Sequence, residues 1–220
     1  MTMLDLPWEA AERHRVITSY LTTCRVAALC RAGDRVVELG EDASALLPLL
    51  LRRAIHPHSL TVLHDVSGLG GTNTGDADLP FPVSRRVWDE SGLWPVAGPF
   101  DLAVAATSGR TAESVLRVIE NAAALLTLEG RLALTSPATM VDLPDVLHAA
   151  GFIVEDVHGV ELPTGSEQVE RLLLDRFGDD SIALFRAMAR NCEPEFVQPV
   201  VASSLADGAS TVLRICRRTR

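Results

Sequence analysis

The stretch Arg35-Val36-Val37-Glu38-Leu39-Gly40 ends an apolar run in a carboxylate and then a glycine, and Glu41-Asp42-Ala43-Ser44 leads into a second apolar run, residues 45–53. A buried strand, a tight glycine turn and a helix N-terminus make a cradle for adenosine-containing cofactors, because backbone N–H groups at the helix start face the ligand. Only the first glycine of such a loop is present, and Asp42 stands where another would be expected. As a short acceptor, Asp42 suits an N-cap that satisfies orphan N–H groups and complements the helix dipole. The same carboxylate about 4 Å from a ligand carboxylate would repel it by roughly 4 kcal/mol at an effective dielectric near 20. Asp42 can escape this by turning away from the ligand, or by accepting from an ammonium group on it.

Other side chains able to do chemistry are scattered. His14 lies in the first helical segment, and His158 directly follows the expected strand at 152–157; they are the two candidate bases. His56 and His58 flank Pro57 in a turn and read as surface. Tyr20, Trp8, Trp88 and Trp94 suit core packing or a pocket wall. The glycine-rich run from Gly68 to Gly75 lacks the Gly-Lys-Ser/Thr that a phosphate loop requires. Cys24, Cys30, Cys192 and Cys216 show no metal-ligand spacing, so no metal site is expected and the thiols read as free.

The elements that would position these residues alternate in type. Helical spacing over residues 8–31 ends at Gly33. Strands are expected at 35–39, 60–64, 83–87, 99–106, 131–135, 152–157 and 210–216, and helices at 45–55, 112–126 and 142–150. Residues 66–82 have turn chemistry instead of a helix. Two amphipathic pieces, 167–177 and 181–190, precede the last strand and read as helices. The pattern predicts an α/β fold with a mostly parallel sheet covered on both faces, and an antiparallel edge for the last strand.

The chain has 220 residues, enough for one domain with a real core. Its net charge of −9 argues against nucleic acid, whose partners usually present a basic face. Neither a signal peptide nor an apolar run of membrane-spanning length is visible, and a cytoplasmic setting without membrane contact is expected.

Several segments resemble the class I S-adenosylmethionine-dependent methyltransferases over roughly residues 35–152. Phe100-Asp101-Leu102-Ala103-Val104 resembles that family's fourth strand. The run from Glu120 to Leu134, with Glu129-Gly130 as its turn, resembles the following helix and fifth strand, and Leu147-His148-Ala149-Ala150-Gly151-Phe152 resembles the approach to the sixth. The resemblance implies a Rossmann-like seven-stranded sheet in the order 3-2-1-4-5-7-6 with strand seven antiparallel. It implies one domain over residues 1–220, with 1–33 as a helical lid and 160–209 as a helical insertion. It implies S-adenosylmethionine as cofactor, with Glu38, Gly40, Asp42 and Ser44 at the methionine moiety. Asp65 would take the ribose hydroxyls, or His64 if the register slips by one. Asp89 would lie near the adenine amine, with Asp76 in Gly75-Asp76-Ala77-Asp78 as its competitor. The chemistry would take place above Gly40 and Ala106-Thr107-Ser108, on a small-molecule acceptor. A homo-oligomer or a protein partner stays open, as do a catalytically silent scaffold and a non-methylating use of the fold.

Overall fold

The computed structural model describes residues 22–23, 25–39, 46–65, 78–89, 92–107, 110–137, 139–140, 142–159 and 211–220. The elements are β1 (Arg35–Leu39), α1 (Leu46–Arg52), β2 (Ser59–Asp65), β3 (Val83–Trp88), β4 (Phe100–Ala106), α2 (Ala112–Leu125), β5 (Leu126–Pro137), α3 (Leu143–Ala149), β6 (Phe152–Gly159) and β7 (Thr211–Arg218). They form one seven-stranded sheet in the order β3-β2-β1-β4-β5-β7-β6. Neighbours from β3 through β5 pair parallel. β7 runs antiparallel to both β5 and β6, so the carboxyl ends of the other six strands share one edge. This is the expected fold class and strand order.

Successive strand residues point to opposite faces, and both faces are covered. Val36, Leu60, Val62, Leu102, Ala133, Leu213 and Ile215 face one layer, packed by Leu46, Leu49 and Leu50 of α1 and by Val26, Ala27 and Cys30. Val37, Leu63, Ala103, Leu132, Leu134 and Cys216 face the other, packed by Val115, Val118, Ile119 and Ala122 of α2 and by Leu143 and Leu147 of α3. The long apolar strands exist because neither face is left to water.

Three local devices fix the frame. Thr111 caps α2, its side chain accepting from Ser114 N–H. Asn121, only 2% exposed, donates to the Arg117 and Gly92 carbonyls and accepts from Trp94 N–H at 2.8 Å. It thereby pins the β3–β4 connection, and Trp94 meets Trp88 edge-on with centroids 6.3 Å apart. Both tryptophans are core residues.

Most boundaries shift by at most two residues; α1 ends at Arg52, three residues short of the expected 55, and β5 differs more. β5 starts at Leu126 rather than 131, because α2 passes directly into extended backbone there. Phe100 pairs with Leu126 but Leu102 pairs with Arg131, so the intervening residues bulge. Glu129 takes φ 65, and a Cβ on Gly130 would meet the Thr127 carbonyl at 2.8 Å. The Glu129-Gly130 turn therefore sits inside the strand. Residues 22–23 and 25–27 are helical, in agreement with the first helix. The remainder of the expected lid, and both amphipathic pieces within 160–209, lie outside the described residues.

Candidate functional site

In an open parallel sheet the crevice for a ligand lies at the carboxyl edge where the strand order reverses, because connections leave neighbouring strands toward opposite faces. Here that point is between β1 and β4: α1 follows β1 onto one face, and α2 follows β4 onto the other. Glu38 is the penultimate residue of β1, Asp65 the last of β2, and Asp89 the residue after β3. Three adjacent strands thus each bring an acidic residue to the same edge, spaced by about 4.8 Å per strand.

Glu38 is 3% exposed, and its Oε1 accepts from Leu46 N–H, the first residue of α1, at 3.1 Å. A carboxylate from the strand thus satisfies an N–H at the helix start, the task expected of Asp42. Asp42 itself, with Gly40 and Ser44, lies outside the described residues. Asp89 is exposed, and its carbonyl accepts from Gly92 N–H. Asp76 is outside the described residues, while His64 is an interior, half-buried residue of β2. Ala106 ends β4, exposed at the crevice, and the next residue, Thr107, is fully buried. Both N–H and Oγ1 of Thr107 donate to the Thr135 carbonyl, at 2.9 and 2.6 Å, which fixes how the chain leaves β4.

His158 lies at the carboxyl end of β6. Its Nε2 is 2.7 Å from Asp156 Oδ2 and 3.3 Å from Arg25 Nη2, and Arg25 also pairs with Asp156 at 3.1 Å. Burial pushes the Asp156 carboxyl up, but the hydrogen bond and charge of His158 and the Arg25 contact outweigh it and hold it below its usual range. Sequence reasoning singled out His158 and missed its two partners. The i, i+2 spacing of Asp156 and His158 on a strand was a readable signal; Arg25 was not. His14 lies outside the described residues. His56 and His58 are exposed, as expected for surface residues.

A cavity of about 300 Å³ opens elsewhere, among Arg35, Ser59, Thr61, Ser84, Arg86 and Phe100. Arg35 and Ser59 begin their strands, so this cavity lies toward the amino edge and takes no part in the carboxyl-edge crevice. Among the described residues no group of three His, Cys, Asp or Glu is placed to hold a metal ion, and no helix is long and apolar enough to cross a membrane.

No protein-family model and no curated protein matches the sequence. Solved structures do match its shape. Magnesium protoporphyrin IX methyltransferase from Synechocystis, with bound S-adenosylmethionine, superposes with a TM-score of 0.60 at 12% identity, over 98% of this chain and 86% of that one. A TehB-like S-adenosylmethionine-dependent methyltransferase from Corynebacterium glutamicum gives a TM-score of 0.55 at 13% identity, over 90% and 88%. The chain has the class I methyltransferase fold. The [4+2]-cyclase SpnF shares that fold with it at a TM-score of 0.50 and 19% identity, over 99% of this chain and 84% of that one. Within the methyltransferase fold of this chain, Glu38, Asp65, Asp89 and Ala106 come to the carboxyl edge on, or directly after, β1, β2, β3 and β4 in that order.

Proposed function

We propose that the chain is an S-adenosylmethionine-dependent methyltransferase acting on a small-molecule acceptor. The observation that carries this reading is the row of acidic residues, Glu38, Asp65 and Asp89, at the carboxyl ends of three adjacent strands. The donor set matches the cofactor: an α-ammonium for Glu38, two ribose hydroxyls for Asp65 and an adenine amine for Asp89, each a donor that a carboxylate accepts well. When bound, the cofactor supplies a methyl group on a sulfonium, an electrophile that a nucleophile can attack in line.

The protein's part is chiefly alignment. Holding the two reacting groups in contact supplies most of the acceleration, so a strong base is not obligatory. His158, on β6 and three strands or about 14 Å from β4, is proposed as a base only for an acceptor that extends along the carboxyl edge to β6. With its Nε2–H directed to Asp156, Nδ1 becomes the accepting nitrogen, and Nδ1 has no partner among the described residues. Residues 1–33 as a lid and 160–209 as a helical insertion belong to the same proposal, within a single domain of 220 residues. The net charge of −9 supports a small molecule over nucleic acid.

A second reading, the fold turned to a reaction other than methylation, is favoured by the likeness to the [4+2]-cyclase. The two part on turnover. Loss of the cofactor's methyl group, followed by mass spectrometry during incubation with candidate acceptors, supports the first. Tight cofactor binding with the methyl retained in every turnover supports the second. A folded chain that binds no cofactor belongs to a silent scaffold.

A further inference from the structure

Arg214 stands in the middle of β7, a strand covered on both faces, and is 7% exposed. Its neighbours Leu213, Ile215 and Cys216 are core residues, so a cation here interrupts an apolar pattern. Its one described hydrogen bond runs from Nη1 to Ser136 Oγ, at 2.5 Å, and Ser136 is itself fully buried. A guanidinium carries five N–H donors, and a neutral hydroxyl takes one of them. No described carboxylate pairs with Arg214. Burial lowers its pKa, with Cys216 acting in the opposite direction. A buried cation without a counter-charge is expensive to hold in a fold. By contrast, Arg131, the other inward arginine of this sheet region, has Asp34 at 2.6 Å.

The location gives the missing charge a source. Arg214 pairs in register with Leu134, and its side chain reaches Ser136, one residue from the carboxyl end of β5. It therefore extends toward the edge where the six strands end. From β4, which borders the crevice, β5 is one strand away and β7 two, or about 5 to 10 Å. That is the span of a small molecule with its reacting atom at the crevice.

We propose that Arg214 is the anion anchor of the acceptor site: the acceptor carries a carboxylate or phosphate that pairs with the Arg214 guanidinium, beside Ser136. This rests on the methyltransferase reading for what reacts, but not for whether the anion binds. A bidentate oxyanion would use the fork that Ser136 leaves open.

The test titrates the full chain with acetate, benzoate and inorganic phosphate, each at an ionic strength held constant with chloride. Melting temperature and the Arg214 side-chain Nε–H resonance are followed, the resonance being assigned by its loss in Arg214→Lys. At least one of the three anions is expected to raise the melting temperature and move the resonance. Arg214→Met is expected to fold with an unchanged or higher melting temperature and to bind that anion about tenfold or more weakly. An anion effect that persists in Arg214→Met overturns the proposal, as does a wild-type resonance that none of the three moves. Should Arg214→Met fail to fold, the wild-type resonance decides alone. S-adenosylhomocysteine binding by the wild type, measured alongside, separates the two readings. Anion binding through Arg214 without it sinks the methyltransferase reading, and it without anion binding sinks only this inference.

Discussion

Glu38 Oε1 accepts the Leu46 N–H at 3.1 Å across an eight-residue separation, joining the carboxyl end of the central strand to the start of the first helix. One buried carboxylate is therefore both a cap and the proposed partner of the cofactor's ammonium. The two roles separate by substitution. Glu38→Gln keeps an acceptor oxygen and should melt close to the wild type, yet lose about 10- to 150-fold in S-adenosylmethionine affinity. Glu38→Ala should in addition lose about 1–3 kcal/mol of stability by orphaning the Leu46 N–H. Calorimetry beside thermal melts reads both; equal cofactor affinity in Glu38→Gln would remove Glu38 from the site.

Arg131 Nη2 lies 2.6 Å from Asp34 Oδ2, each side chain 12% exposed, and Arg131 also donates to the Leu29 carbonyl. The pair fastens the end of the first helix to β5. Asp34→Ala leaves a largely buried guanidinium unpaired and should cost about 3 kcal/mol in urea unfolding. Asp34→Ala with Arg131→Met should cost less than the sum of the two single changes; strict additivity would mean the residues do not interact.

Much of the fold could be read from residue type alone. Val36 and Val37, or Leu132, Ala133 and Leu134, are apolar in succession because the sheet is covered on both faces. Helix α2 carried its own start in Thr111 and its own face in Val115, Val118, Ile119 and Ala122. What stayed hidden depended on distant partners. Asn121 looks like an ordinary helix-surface residue until Trp94 is packed against it, and Arg25 meets Asp156 across 131 residues. The bulge before Arg131 is set by Phe100 pairing with Leu126, which no local pattern shows. The strand-end positions of Glu38, Asp65 and Asp89 were legible, whereas nothing in the local pattern around Arg214 separates it from Arg217 and Arg218 on the same strand.

Cys30 and Cys216 are 6% and 0% exposed, and burial pushes each thiol from 9.0 up to about 12. The thiolate is the reactive form, so iodoacetamide at about pH 8 should leave both unmodified in the native chain and label both after denaturation. The folded values lie above the unfolded one, so this contribution to stability is complete below about pH 9 and is lost as pH rises toward about 12. Site-resolved mass spectrometry checks the first expectation and alkaline melts the second; rapid native labelling of Cys216 would contradict its burial.

Asp156 titrates below the ordinary carboxylate range, so its contribution is present above that range and is lost as pH falls through the lower folded value. Acid titrations of the wild type and Asp156→Asn should therefore diverge above about pH 4 and converge below it. Curves that stay parallel through the acid range would mean that Arg25 and His158 draw nothing from the carboxylate's charge.

Asp65→Ala should weaken S-adenosylmethionine binding by about 10- to 150-fold, the scale for hydrogen bonds to a charged group. Its melting temperature should change little, because Asp65 is the last residue of its strand. Unchanged affinity would place the ribose elsewhere.

Calorimetric titration of the full chain with S-adenosylmethionine and S-adenosylhomocysteine tests the assignment most directly. A micromolar dissociation constant for at least one of them, weakened in Asp65→Ala and in Glu38→Gln, is the expected result. No heat of binding from a folded chain at millimolar cofactor would contradict it, and would leave a methyltransferase fold without a methyltransferase's ligand.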